Sequence, residues 1–299
     1  MTLRQFNRIV EIRTKIISIA TFVSGSLFAA IATGTWSWLR FCLMGVAVLC
    51  VDMGTTGFNS YFDYRNGTDT KSHNFEKDKV LVHEGVNPLY ALFISVALFG
   101  VAGLIGLVLA WLTSWWLLAV GGLCLLVGFA YTGGPLPISR TPFGELFAGG
   151  FLGTVLFVLS YYMQALTFGK DPVLTSLPFF FLIAMILSVN NTCDLYADFR
   201  AGRLTLSILL RERWAIHLMA SEGLAAYILT VWFVLSGRYP YASLPFLIFA
   251  IAFSLREFIL MRFRGFSLET KGASMQGVSK IFLFFSLSQI AGCLLELAV

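Results

Sequence analysis

Long apolar stretches, separated by short polar ones, run the length of this chain. A membrane-spanning helix needs about 20 mostly apolar residues. That measure predicts nine spans, at about residues 16–36, 38–58, 89–111, 114–131, 144–163, 173–191, 214–236, 241–262 and 278–297. The runs are continuous and lack the two-residue alternation of an outer-membrane barrel strand. Helices are therefore expected, each satisfying its own backbone. Three stretches break the pattern, 59–88, 192–213 and 263–277, and all are polar and basic. They are expected to cap a single transmembrane domain over 1–299, because no stretch is long enough for a separate soluble domain. The basic start, Met1 to Lys15, is not followed by a small-residue cleavage site. The first apolar run goes on to full spanning length, so it reads as an anchor and not a removed signal peptide.

Composition agrees. Hydrophobic residues make up 58% of the chain and charged residues 12%, against roughly 25% charged in a soluble domain. The expected class is an all-α, multi-pass integral membrane protein. Its orientation follows from Lys and Arg, which favour cytoplasmic loops. With the N-terminus in the cytoplasm and nine spans, all of the 21 Lys and Arg except Arg40, Lys170, Arg238 and Arg256 fall on the inside. A miscounted span would flip every later loop and spoil that skew. The net charge of +5 is thus mainly a topology signal, and nucleic-acid binding is not expected. The five cysteines, Cys42, Cys50, Cys124, Cys193 and Cys293, have no ligand spacing and read as small apolar fillers, with neither a disulfide framework nor a zinc site.

Two polar motifs stand at the ends of apolar runs. In the first, Asp52, Thr56, Asn59 and Asp63 follow one another at spacings of four, three and four, which puts them on one face of a helix. An aspartate inside an apolar run costs about 2.5–3.5 kcal/mol on insertion scales, so Asp52 is expected to face a polar cavity. Gly67 is expected to end the helix, leaving Asp69 to project from the loop beyond. In the second motif, Asn190, Asp194 and Asp198 recur every four residues and Asn191 lies three before Asp194. Acids near a helix C-terminus oppose the helix dipole. Two helices accepting that cost suggest a cation between them, against the plainer reading of two solvated helix ends. Carboxylate and amide oxygens without His or Cys suit a hard ion, Mg²⁺ or Mn²⁺, and Mg²⁺ usually bridges to phosphate. Arg65, Lys71, Arg200 and Arg203, beside these acids, could clamp a diphosphate; as inside residues they would also occur without that role.

These residues carry a resemblance. The chain resembles the UbiA superfamily of intramembrane prenyltransferases, and within it the branch acting on 1,4-dihydroxy-2-naphthoate. Asn59, Asp63 and Asp69 match the family's first motif. Asn190, Asn191, Asp194, Asp198, Gly202, Arg203 and Thr205 match its second. A third match is Tyr131-Thr132-Gly133-Gly134-Pro135-Leu136-Pro137-Ile138, followed by Thr141-Pro142-Phe143-Gly144-Glu145. The resemblance covers nearly the whole chain. There are departures: Ser60 stands where the family usually has Asp, Arg203 where it has Lys, Leu204 where a basic residue is usual, and Leu209-Leu210-Arg211 where the motif usually ends in Leu-Gly. Ser60 lies off the Asn59/Asp63 face and Arg203 keeps the charge.

The resemblance implies nine helices around a central cavity that opens to the cytoplasm, in the cell membrane. It implies Mg²⁺ held by Asn59, Asp63, Asp69, Asn191, Asp194 and Asp198 on the diphosphate of a polyprenyl diphosphate. Arg65, Lys71, Arg140, Asn190, Arg200 and Arg203 would contact that diphosphate or support its ligands. Asp52 and Thr56 would line the cavity below, and Tyr131 would lie near the aromatic acceptor or the allylic cation, unless it is an ordinary interfacial tyrosine. With 1,4-dihydroxy-2-naphthoate as acceptor the product is a demethylmenaquinone, a step of menaquinone biosynthesis. 4-Hydroxybenzoate, homogentisate or a haem are alternative acceptors. Outside this enzyme class stand a cation-coupled transporter, whose acids should lie near the midplane, and a lipid- or quinone-binding scaffold. His73, His83 and His217 read as surface residues, with a lid or base role open for the first two. Gly149 and Gly153 read as a close helix contact.

Overall fold

The computed structural model describes residues 1–68 and 79–298, and every described regular element is helical. Asp69, Lys71 and His73 lie outside the described residues. Among the described residues, eight helices are long and apolar enough to cross a membrane: Ile12–Thr33, Trp38–Arg65, Pro88–Leu112, Gly144–Ala165, Lys170–Cys193, Leu206–Leu235, Tyr241–Arg264 and Lys271–Ala298. They correspond to eight of the nine expected spans. The other expected span is the helix Trp116–Ala130, apolar but only 15 residues long. At 1.5 Å per residue it covers roughly 22 Å, less than the ~30 Å hydrocarbon thickness. The helices used below are α1 (Leu3–Ile9), α2 (Ile16–Thr33), α3 (Trp38–Arg65), α4 (Val80–His83), α5 (Pro88–Leu112), α6 (Trp116–Ala130), α7 (Gly144–Ala148), α8 (Leu156–Ala165), α9 (Lys170–Thr175), α10 (Leu177–Cys193), α11 (Leu195–Arg200), α12 (Leu206–Leu235), α13 (Leu244–Arg264) and α14 (Lys271–Ala298). Between α7 and α8 the chain widens into a π-helix, Gly149–Val155.

The chain divides into two compact units. The first comprises Met1–Ile16, Cys42–Gly144 and Tyr196–Thr205. Its short α1 is set by a capping box, Thr2 and Gln5 each bonding the other's backbone N–H. Ile9 and Val10 then pack with Tyr61, Val80, Leu81, Ala91 and Ile94. Close helix contact comes from small residues, as expected where lipid competes equally for apolar surface. A Cβ on Gly54 would lie 2.5 Å from Phe99 Cδ1, and one on Gly128 would lie 2.6 Å from Thr55 Oγ1. Those two positions let α5 and α6 close on α3.

The second unit comprises Ile17–Phe41, Glu145–Leu195 and Leu206–Val299. Its core gathers Phe157, Phe179, Leu182, Met185, Phe282 and Phe285, all buried, around α10. The glycine pair expected to allow a close contact does so. A Cβ on Gly149 would meet the Phe180 carbonyl oxygen at 2.6 Å, and one on Gly153 would meet Phe180 Cα and N at 2.7 Å. The Gly144–Ala165 span therefore lies backbone to backbone on α10. A kink interrupts α12 at Arg211, whose φ of 63° and ψ of 160° are not helical. That residue stands where the motif usually ends in Gly, and its backbone lies where glycine is favoured.

Candidate functional site

Within the first unit, two helix ends are built alike. At the end of α3, Gly67 (φ 72°) donates its N–H to the Tyr64 carbonyl at 3.3 Å, and Thr68 donates to the Asp63 carbonyl at 2.9 Å. At the end of α11, Gly202 (φ 71°) donates to Phe199 at 3.1 Å, and Arg203 donates to the Asp198 carbonyl at 3.0 Å. Both are Schellman closures, which need a left-handed residue and so select glycine. Each puts one motif aspartate at the same place, in the last turn, four residues before its glycine.

Arg203 then joins the two ends. Its Nη1 donates to Asp198 Oδ1 at 3.0 Å and its Nη2 to Asp63 Oδ1 at 2.9 Å. The side chains are largely withdrawn from solvent, 11% exposed for Arg203, 21% for Asp63 and 5% for Asp198. A planar guanidinium can serve two carboxylates at once, where an ammonium is a point charge. Asp63 of the first motif and Asp198 of the second are thus brought together on one cation.

The third motif docks on both. Thr132 donates its hydroxyl to Asn59 Oδ1 at 2.7 Å. The Leu204 N–H donates to the Arg140 carbonyl at 2.9 Å, and the Ser139 N–H to the Tyr131 carbonyl at 2.8 Å. The Tyr131–Arg140 turn is therefore held at Asn59 and at Leu204, the residue after Arg203. Tyr131 caps the C-terminus of α6 and is half-buried, as is Arg140. Arg65 and Arg200 are exposed, and Arg65 donates to the Tyr61 hydroxyl at 3.2 Å.

Other sequence-selected residues of this unit have partners that the spacing did not disclose. Lys15 is 1% exposed and reaches Asp52 Oδ1 at 2.7 Å and Thr56 Oγ1 at 3.2 Å. The Thr56 hydroxyl bonds the Val10 carbonyl at 2.8 Å. Asp52 and Thr56 thereby anchor the N-terminal segment. Ser60 is buried and donates to the Ile9 carbonyl at 3.1 Å, an arrangement that requires a donor hydroxyl and not an ionised carboxylate.

In the second unit, α10 carries Asn190, Asn191 and, as its C-cap, Asp194. The expected single helical face through Asn190, Asp194 and Asp198 is not continuous. Asp194 has φ −90° and ψ 1°, α10 ends before it and α11 starts after it. Asp194 Oδ2 accepts from Lys271 Nζ at 2.8 Å. Asn191, buried, donates Nδ2 to Glu145 Oε1 at 2.9 Å. One turn earlier, Ser188 donates to Glu222 Oε1 at 3.1 Å.

Sequence reasoning missed Lys15, Lys271 and Glu222, and gave Glu145 no role though it closes the third motif. A buried acid inside an apolar run calls for a partner, which is the signal available for Glu222 and Glu145. Nothing local in the sequence marks Lys15 or Lys271, since both read as inside charges. Among the described residues no three His, Cys, Asp or Glu side chains are grouped as a metal centre, and Asp69 is not among them. The motif atoms present are carboxylate and amide oxygens, the set a hard cation prefers. The described aspartates Asp63, Asp194 and Asp198 each already hold a cationic side chain, so the surroundings accept positive charge.

The model of the UbiA prenyltransferase family matches residues 18–265. The chain is 36% identical over 199 residues to a 1,4-dihydroxy-2-naphthoate octaprenyltransferase of Bacillus subtilis, an alignment covering 67% of this chain and 64% of that protein. It is 31% identical over 224 residues, 75% of each chain, to a protein of the same name from Mycobacterium tuberculosis. The fold is similar to that of a UbiA homologue from Archaeoglobus fulgidus bound to GPP and Mg²⁺, with a TM-score of 0.67, 15% identity, and coverage of 99% of this chain and 100% of that one.

Proposed function

Because this chain belongs to the UbiA prenyltransferase family, we propose that it transfers a polyprenyl group from polyprenyl diphosphate to 1,4-dihydroxy-2-naphthoate, giving demethylmenaquinone. The observation that carries this is the meeting of Asp63 and Asp198 on Arg203. Two carboxylates and a guanidinium, side by side and largely shielded from water, suit a ligand that brings both divalent cations and phosphate oxygens. The likeness to enzymes named for the naphthoate acceptor favours that acceptor over 4-hydroxybenzoate, homogentisate or a haem.

The proposed Mg²⁺ ligands are Asn59, Asp63 and Asp69, and Asn191, Asp194 and Asp198, with Mn²⁺ as a substitute. Bound there, the metal supplies charge that stabilises the departing diphosphate. Arg203 then offers its N–H groups to diphosphate oxygens, with Arg65, Lys71, Arg140 and Arg200 supplying further positive charge and Asn190 supporting the ligands. Tyr131 lies beside the acceptor or the allylic cation. Asp52 and Thr56, tied to Lys15, hold the helix that presents Asn59 and Asp63. The protein crosses the membrane nine times, counting α6, as a single domain with its N-terminus and active site on the cytoplasmic side.

The test uses purified protein, Mg²⁺, labelled polyprenyl diphosphate and a panel of aromatic acceptors. Prenylated naphthoate product is expected, lost on adding EDTA and restored by Mg²⁺. No product with any acceptor, or turnover that survives EDTA, would sink the proposal.

A further inference from the structure

Glu145 lies in the first turn of α7, directly after Gly144, and is 3% exposed. Its Oε1 accepts from Asn191 Nδ2 at 2.9 Å, and its Oε2 has no hydrogen-bond partner among the described residues. Gly149 and Gly153 seat their span on the backbone of Phe180 in α10, and Glu145, one turn before Gly149 in that span, meets Asn191 of the same helix α10.

An asparagine amide has two chemically different ends, and its orientation follows from its partners. A carboxylate oxygen accepting from Nδ2 holds the NH₂ end toward Glu145. The carbonyl Oδ1 is then turned to the other side, and that oxygen is what a hard cation takes. Burial removes water that could otherwise satisfy either orientation. We propose that Glu145 is a positioning residue that orients Asn191 with its carbonyl oxygen toward the metal. This rests on the assignment of Asn191 as a metal ligand. Groups behind a ligand that fix its orientation typically change metal affinity by about 10–100-fold when replaced.

The experiment measures Mn²⁺ binding to the purified full-length protein, by loss of the free-ion EPR signal, with turnover measured in parallel. Glu145→Gln can present an amide nitrogen and lets Asn191 turn its oxygen toward position 145. It is expected to weaken Mn²⁺ binding about tenfold or more. Glu145→Asp keeps the acceptor and is expected to lose less, which separates orientation from a general packing defect. In an Asn191→Ala background, Glu145→Gln is expected to have no further effect on Mn²⁺ affinity, because its route is gone. Unchanged Mn²⁺ affinity in Glu145→Gln beside a weakened Asn191→Ala overturns the proposal, as does a full additional loss in the double variant. If Asn191→Ala binds Mn²⁺ like the parent while Asp194→Asn does not, the ligand assignment of Asn191 fails and this role falls with it. If both bind normally, the failure lies in the metal reading itself.

Discussion

Asp63 and Asp198 accept hydrogen bonds from the same guanidinium, at 2.9 and 3.0 Å. They come from different motifs, far apart in the chain. What makes the pair is the matching closure of two helices by Gly67 and Gly202, each holding an aspartate in its last turn.

Arg203 replaces the lysine usual at its position. Arg203→Lys keeps the charge but offers one nitrogen where two directed N–H groups now serve two carboxylates. Hydrogen bonds to charged groups contribute about 1.5–3 kcal/mol. Losing one such bond should raise KM for polyprenyl diphosphate about tenfold, and Arg203→Ala should cost more. Steady-state kinetics would show this; an Ala variant with wild-type KM and kcat counts against the diphosphate role.

Asp63→Ala and Asp194→Ala should each reduce turnover below about a thousandth of the parent rate, consistent with loss of a metal ligand whose charge stabilises the leaving group. Both should still insert in the membrane at normal level, since each acid lies at a helix end. Full turnover in either variant breaks the metal assignment.

Lys15 and Asp52 form a buried pair whose two members should be tested together. Lys15→Met leaves Asp52 uncompensated and should destabilise the protein by about 3–5 kcal/mol. The double change Lys15→Met with Asp52→Leu removes both charges and should recover most of that loss. Thermal unfolding in detergent of the two variants decides it. Equal destabilisation in both would mean that the pair does more than neutralise itself.

Arg211 is exposed, yet its backbone sits at φ 63° and ψ 160°. A non-glycine residue in that region stores about 1–3 kcal/mol of strain. Arg211→Gly should therefore raise stability by about 1 kcal/mol after allowing for glycine's greater freedom when unfolded. A variant that melts below the parent would show that the kink is not strained.

Gly153 lies against backbone atoms of Phe180 that cannot swing aside. Gly153→Ala should cost about 1–3 kcal/mol and move Glu145 away from Asn191. Thermal unfolding checks the first effect; a parent-like melting temperature would show that the two helices separate without penalty.

The helical fold was legible because the bilayer requires long apolar runs and allows backbone polarity only inside helices. Glycine punctuation is legible too: a glycine favours the left-handed turn that ends a helix, and the structure closes α3 at Gly67. Asn59 and Asp63 were found because helical spacing puts them on one face. The same spacing rule failed at Asp194, where the backbone leaves the helix and the face through Asp198 is broken. Periodicity assumes an uninterrupted helix, and nothing in Asn190 to Asp198 announces the interruption.

The sequence by itself determined the membrane class and the helix runs, because those follow from composition and local spacing, and it singled out the acids and amides of the two motifs as candidates. Tertiary structure alone decided which charge answers which: Lys15 to Asp52, Lys271 to Asp194, and Arg203 to Asp63 and Asp198 together. Every one of those bases looks the same in the sequence, as a positive residue near a membrane face. Pairing depends on which helix ends the packing of small residues brings within about 3 Å, and that distance is a property of the fold.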